Sequence, residues 1–171
     1  MGDIGARIEE SKNWFERAAE RVPGYKGYKQ KELRREADKI QRTFVAERLE
    51  FGRRALENLE LDISRSGKLD ILGIVDTVAR KLRTVKDRFL FADYGYAGWF
   101  DAVKVDQGVL DSIYQLDAQA QEAAVAIEQL AKSLRADSPS LRADIDILDE
   151  RVEALDEFFA QRDHVVTGAG R

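Results

Sequence analysis

The chain reads as an all-α protein: an antiparallel helical bundle of four long helices plus an N-terminal amphipathic helix, with an aromatic, glycine-containing connector between two helical hairpins. Three observations predict this. Apolar residues recur at alternating three- and four-residue spacing over long stretches, the pattern of helices packed on helices. Charged residues make up 35% of the chain and only two prolines occur, a balance that favours helix. Six of the fifteen aromatic residues crowd between Phe89 and Phe100 around Gly95 and Gly98, where the helical pattern stops.

The elements follow in order. A first helix is expected from Asp3 to Arg21, with Ile4, Ile8, Phe15, Ala18 and Val22 on one face and Trp14 beside it, ended by Val22-Pro23-Gly24. Its polar face mixes Glu9, Glu10, Glu16 and Glu20 with Arg7, Lys12, Arg17 and Arg21, so packing on the bundle is the expected role and a membrane surface the alternative. A second helix is expected from Lys29 to Ser64, about 54 Å long at 1.5 Å per residue. Its stripe runs Leu33, Ala37, Ile40, Phe44, then slips by one residue to Val45, Leu49, Gly52, Leu56, Leu59 and Ile63. Gly52 on that stripe lets another backbone approach closely. Ser66-Gly67 ends the helix.

A third helix, Leu69 to Ala92, carries Ile71, Val75, Val78, Leu82, Val85 and Phe89. A fourth, from Asp106 as N-cap through Gln107 to Ala136, carries Leu110, Ile113, Asp117, Ala120, Ala124, Ile127, Ala131 and Leu134. A fifth, Pro139 to Arg162, carries Leu141, Ile145, Leu148, Val152, Leu155 and Phe159, with proline at its first position. The short turns at Ser66-Gly67 and Asp137-Ser138 make antiparallel hairpins of helices two and three and of helices four and five. One domain is expected over 1–162, followed by a flexible tail over 163–171.

Candidate interaction residues fall in two places. Tyr94, Tyr96, Trp99 and Phe100 of the connector either fold inward to close one end of the bundle or form an aromatic patch for a partner. Tyr25, Lys26, Tyr28 and Lys29, followed by Arg34 and Arg35, allow cation–π contacts and could meet phosphate groups. Glu32 and Glu36 at helical spacing instead suit a solvated face. The P-loop spacing is absent from this segment. Asp117 is the one charge in an otherwise apolar stripe. Buried there it requires a partner, for which an arginine or a connector tyrosine is the natural candidate, or it takes up a proton.

Composition narrows the function classes. With no cysteine the chain has no disulfide, no thiol nucleophile and no cysteine-based zinc site. His164 is the only histidine, so the Glu-x-x-His pairs of di-iron bundles do not occur, nor do HExxH, G-x-S-x-G or G-x-G-x-x-G. No catalytic residue, cofactor or metal ligand is expected. No apolar run reaches the roughly 18 residues that span a bilayer, and the first residues lack the apolar core of a signal peptide, so a cytoplasmic chain is expected. The net charge of −4 is unevenly spread. Lys26 to Arg54 holds ten Lys/Arg against five Asp/Glu, a balance of +5, and Asp106 to Asp163 holds five against fourteen, a balance of −9. This split predicts Arg34, Arg35, Lys39 and Arg42 beside Asp144, Asp149, Glu153 or Asp156, within a chain or between subunits.

The stretches GYKGYKQKELRREADK at 24–39 and ADYGYAGWFDAVKVDQGVLDSIYQLD at 92–117 resemble a family of uncharacterised bacterial all-helical proteins. The resemblance implies a bacterial, cytoplasmic protein and no particular activity. The long-helix layout with an amphipathic first helix also resembles, in architecture, the phage-shock and vipp-type membrane-remodelling proteins. The expected function is a non-catalytic helical scaffold or adaptor that self-associates into a homo-oligomer or binds a helical protein. The alternatives are a peripheral membrane-associated stress-response protein and a carboxylate/Mg²⁺-dependent enzyme or nucleotide binder. Nucleic acid is not an expected partner.

Overall fold

The computed structural model describes residues 25–92 and 107–168, with side chains described at 35, 36, 38–92, 112, 113 and 115–165. The predicted first helix, most of the aromatic connector, and the side chains of Tyr25, Lys26, Tyr28, Lys29, Arg34, Tyr94, Tyr96, Trp99 and Phe100 lie outside the described residues. The described residues are all-helical, without a strand: α1 (Tyr25–Ser66), α2 (Leu69–Phe91), α3 (Gln107–Ser133) and α4 (Leu141–Gly168). The chain divides into two compact units, Met1–Ala37 and Asp38–Arg171. Of the first, the described part is the opening of α1. The second holds the core.

Alternating spacing fixes which residues are buried. Val45, Leu49, Leu56, Leu59 and Ile63 of α1 join Val75, Val78, Leu82, Val85 and Phe89 of α2 in one apolar cluster. Ala120, Ala124, Ile127 and Ala131 of α3 and Leu141, Ile145, Leu148, Val152, Leu155 and Phe159 of α4 complete it. Contacts give the helix directions. Arg42 of α1 reaches the Phe89 carbonyl and Glu50 receives Lys86, so α1 and α2 run in opposite senses. Lys81 meets Asp149 and Glu153, and Arg88 meets Asp156, so α2 and α4 run in the same sense where they touch. Arg162 reaching Asp117 across the short 133–141 link sets α3 against α4.

Two turns close one end. Gly67 takes φ of 76°, the left-handed conformation that ends α1, and its N–H donates to the Ser64 carbonyl at 3.4 Å. Lys68 donates to the Ala136 carbonyl at 2.8 Å and so joins this turn to the link between α3 and α4.

Several boundaries differ from expectation. α4 begins at Leu141 rather than Pro139, because Ser138 and Ser140 build a turn first: the Ser138 hydroxyl accepts from the Ser140 amide at 3.3 Å. The Ser140 hydroxyl then donates to Asp144 at 2.7 Å. α3 stops at Ser133, three residues short of Ala136. At the other end α4 continues through Gly168, so 163–168 is helix rather than the expected tail. Arg162, at the expected end, is buried.

Candidate functional site

The phase slip expected in the second helix does not occur, and its absence builds the site. Ile40, expected inside, is 39% exposed, whereas Asp38 and Arg42 are 6% and 3% exposed. Asp38, Arg42, Val45, Leu49, Gly52, Leu56, Leu59 and Ile63 form one unbroken stripe at alternating four and three spacing. Two charged residues occupy core positions, and the apolar neighbours Ile40 and Phe44 mimic a different phase. α4 behaves alike: the step of three past Phe159 arrives at Arg162. On α3 the stripe passes through Asp117.

These four residues form one layer at the end of the core where α2 finishes. Arg42 Nε donates to Asp38 Oδ2 at 2.9 Å, and Arg42 Nη1 donates to the carbonyls of Phe89 at 2.9 Å and Leu90 at 3.4 Å. Asp38 Oδ1 accepts from Arg162 Nη2, and Arg162 Nε donates to Asp117 Oδ1 at 2.5 Å. One bonded chain thus runs from the last turn of α2 through α1 and α4 to α3. The side chains of Asp38, Arg42 and Arg162 are 5%, 4% and 3% exposed, that of Asp117 12%. Two carboxylates balance two guanidinium groups, so the layer is neutral. Arg42 also places a positive charge on the C-terminal carbonyls of α2, the favourable end for a cation.

Burial pushes the Asp117 carboxyl above its ordinary range, although Arg162 pulls it down. Phe89 closes the apolar side of the layer by packing on Phe159, ring centres 4.8 Å apart.

A second charged group lies between α1 and α3. Glu128, 6% exposed, accepts from Arg48 at 3.2 Å and pairs with Lys132. The Arg48 guanidinium lies over Phe44 and Phe51, and Lys132 over Phe51. Beside it Gly52 lets α1 approach α3 closely: a methyl group there would sit 3.7 Å from Ala131 Cβ and Glu128 Cα.

Within the chain, the charge partners differ from those expected. Asp149, Glu153 and Asp156 are taken by Lys81 and Arg88 of α2, and Arg42 turns inward to Asp38. Arg35 is exposed and lies in the other unit. An open groove of about 570 Å³ between α2 and α4 is lined by Thr77, Lys81, Thr84, Val152 and Asp156. Its threonine hydroxyls donate to Gly73 and Arg80 carbonyls of their own helix.

Asp38, Arg162 and Glu128 were not anticipated, and Arg42, expected beside the acidic residues of α4, is buried on Asp38 instead. The signal for Arg162 was in the sequence: the alternating step, carried one position past the last apolar residue, lands on it. Among the described residues no group of three or more His, Asp or Glu side chains is arranged to hold a metal ion, and no helix is long and apolar enough to cross a membrane. No protein-family model matches the chain, and neither a curated protein nor a solved structure does.

Proposed function

We propose that the chain is a non-catalytic helical scaffold, cytoplasmic and self-associating, in which two antiparallel hairpins form a helical bundle that presents its outer faces to other copies. The observation that carries this reading is how the buried ionisable groups are used. Asp38, Arg42, Asp117 and Arg162 each bond another member of their own layer, and Arg42 also bonds a helix end. Each charged group of the layer is committed to a neighbour in the fold, so the layer suits rigidity rather than turnover. The cysteine-free composition agrees with a reducing compartment.

Light scattering on eluting protein, from micromolar to millimolar loading, tests the reading. A mass that rises to a fixed multiple of 19.4 kDa is expected. A strict monomer throughout would overturn self-association.

A further inference from the structure

The hairpins α1–α2 and α3–α4 meet through two interfaces, α2 on α4 and α1 on α3. Sliding one hairpin along the other by one heptad, about 10 Å at 1.5 Å per residue, keeps the apolar periods of both interfaces in step, although it uncovers Leu134 and Leu141 at the turn end. On α2 and α4 the apolar stripe repeats every seven residues, so Val, Leu and Phe again meet Leu, Ile and Val. The ion pairs across this interface repeat as well: Lys81 and Arg88 are seven apart, as are Asp149 and Asp156. After the slide Lys81 meets Asp156. On the other interface Gly52 leaves Ile127 and Ala131 and meets Ala120 and Ala124, which are no larger. A slide breaks Lys81–Glu153 and Arg48–Glu128, although Glu128 keeps Lys132 of its own helix. The aliphatic stripes and the pairs made by Asp149 and Asp156 do not distinguish the two registers.

The charged layer does. Each stripe of α1, α3 and α4 carries its charges at one end only, and Asp38–Arg162 is the bond that joins the hairpins there. A slide would carry Arg162 toward the former level of Leu155 and Asp117 toward that of Ala124, both wholly aliphatic, and strip Asp38 of its second guanidinium. Unpaired buried charges are the large penalty in such cores, while apolar replacement of a whole charged cluster is often neutral or stabilising. We propose that the Asp38–Arg42–Asp117–Arg162 layer is a register lock, which selects how the two hairpins align rather than adding to the stability of the fold.

The chain has no cysteine, so thiol cross-linking reads the register directly. One reporter, Lys81→Cys with Asp149→Cys, marks the observed alignment. A second, Lys81→Cys with Asp156→Cys, marks the slipped one. Each is treated with a short bis-thiol reagent in two full-length backgrounds: the natural layer, and Asp38→Leu/Arg42→Met/Asp117→Leu/Arg162→Met. The natural layer should give the first cross-link alone. The apolar layer should give the second as well, with a melting temperature equal or higher. An apolar-layer protein that keeps only the first cross-link would overturn the proposal. So would one that fails to fold, because the layer would then hold the fold together rather than choose its alignment. Asp38→Asn is the milder companion, expected to raise the second cross-link above background at unchanged helical content; no rise would also count against the lock.

Discussion

The two ends of the core use the same geometry and opposite chemistry. Toward the turns at Gly67 and Ser138 the stripes are Leu56, Ile63, Leu141 and Ile145, each at most 1% exposed and held by apolar burial alone. Toward the end of α2 the same positions carry Asp38, Arg42, Asp117 and Arg162. The aliphatic end supplies stability that depends little on which neighbour is which. The charged end carries the desolvation of four ions, and its bonds are satisfied by one arrangement. A heptad pattern thus says where the inside is, while the interruptions in it say which inside is meant.

The widest test of this contrast sets Arg162→Met against Leu148→Ala in urea denaturation. Removing Arg162 strands Asp117 and half of Asp38 in the core, and a loss of about 3–5 kcal/mol is expected. Leu148→Ala removes apolar contact and leaves a cavity, for about 2–4 kcal/mol. If Arg162→Met proves the milder change, the charged end is looser than its bonds imply.

Gly52 sharpens the picture of the aliphatic end. Gly52→Leu should destabilise by about 1–3 kcal/mol, because atoms beyond Cβ run into the α3 backbone. Gly52→Ala places its methyl at ordinary contact distance and should stabilise by about 0.5–1 kcal/mol through helix propensity. A loss with alanine in thermal melts would mean that α1 and α3 lie closer still.

The smallest effects are in pH. Glu50 is held below the usual carboxylate range chiefly by Arg53, with Lys86 and Arg54 adding to it. Its contribution is complete above the ordinary value of 4.5 and falls away as pH drops below that. Asp117 works in the other direction. Its raised carboxyl binds a proton more readily folded than unfolded, so its contribution grows as pH falls through the raised value toward 3.8. Glu50→Gln should therefore lessen the acid loss of stability. Asp117→Asn should fall further behind the natural chain as pH is lowered from about 7 to about 4. Parallel stability curves for natural chain and Asp117→Asn would show that this carboxyl does not titrate as placed.

Helices and their inner faces were legible because burial imposes a period, and Val45 to Ile63, Val75 to Phe89 and Leu141 to Phe159 carry it without interruption. Asp117 stood out because apolar residues flank it on both sides of its stripe. Asp38 and Arg42 did not, because Ala37, Ile40 and Phe44 offer a competing apolar phase one position away. Bonds from Arg42 to the end of α2 and from Arg162 to Asp38 satisfy the charged phase, and partners on other helices cannot be read from the local sequence. The charge balance misled for a related reason. It counts Arg42 and Asp38 as surface groups and overlooks Lys81 and Arg88, which lie nearer to the acidic face of α4.

The separation along the chain of the bonds in the layer carries a kinetic consequence. Arg42 and the Phe89 carbonyl are 47 residues apart, and Arg162 and Asp117 45, whereas Arg162 and Asp38 are 124 apart. Contacts that close the shorter loops lose less chain entropy and form earlier. Each hairpin can therefore gather its own neutral pair, Asp38 with Arg42 and Asp117 with Arg162, before the two halves dock. Docking is the step at which alignment is decided, and it comes late. In Arg162→Met the lost Asp38 bond should then fall on the unfolding limb of a chevron plot, while the lost Asp117 bond slows formation of the α3–α4 hairpin.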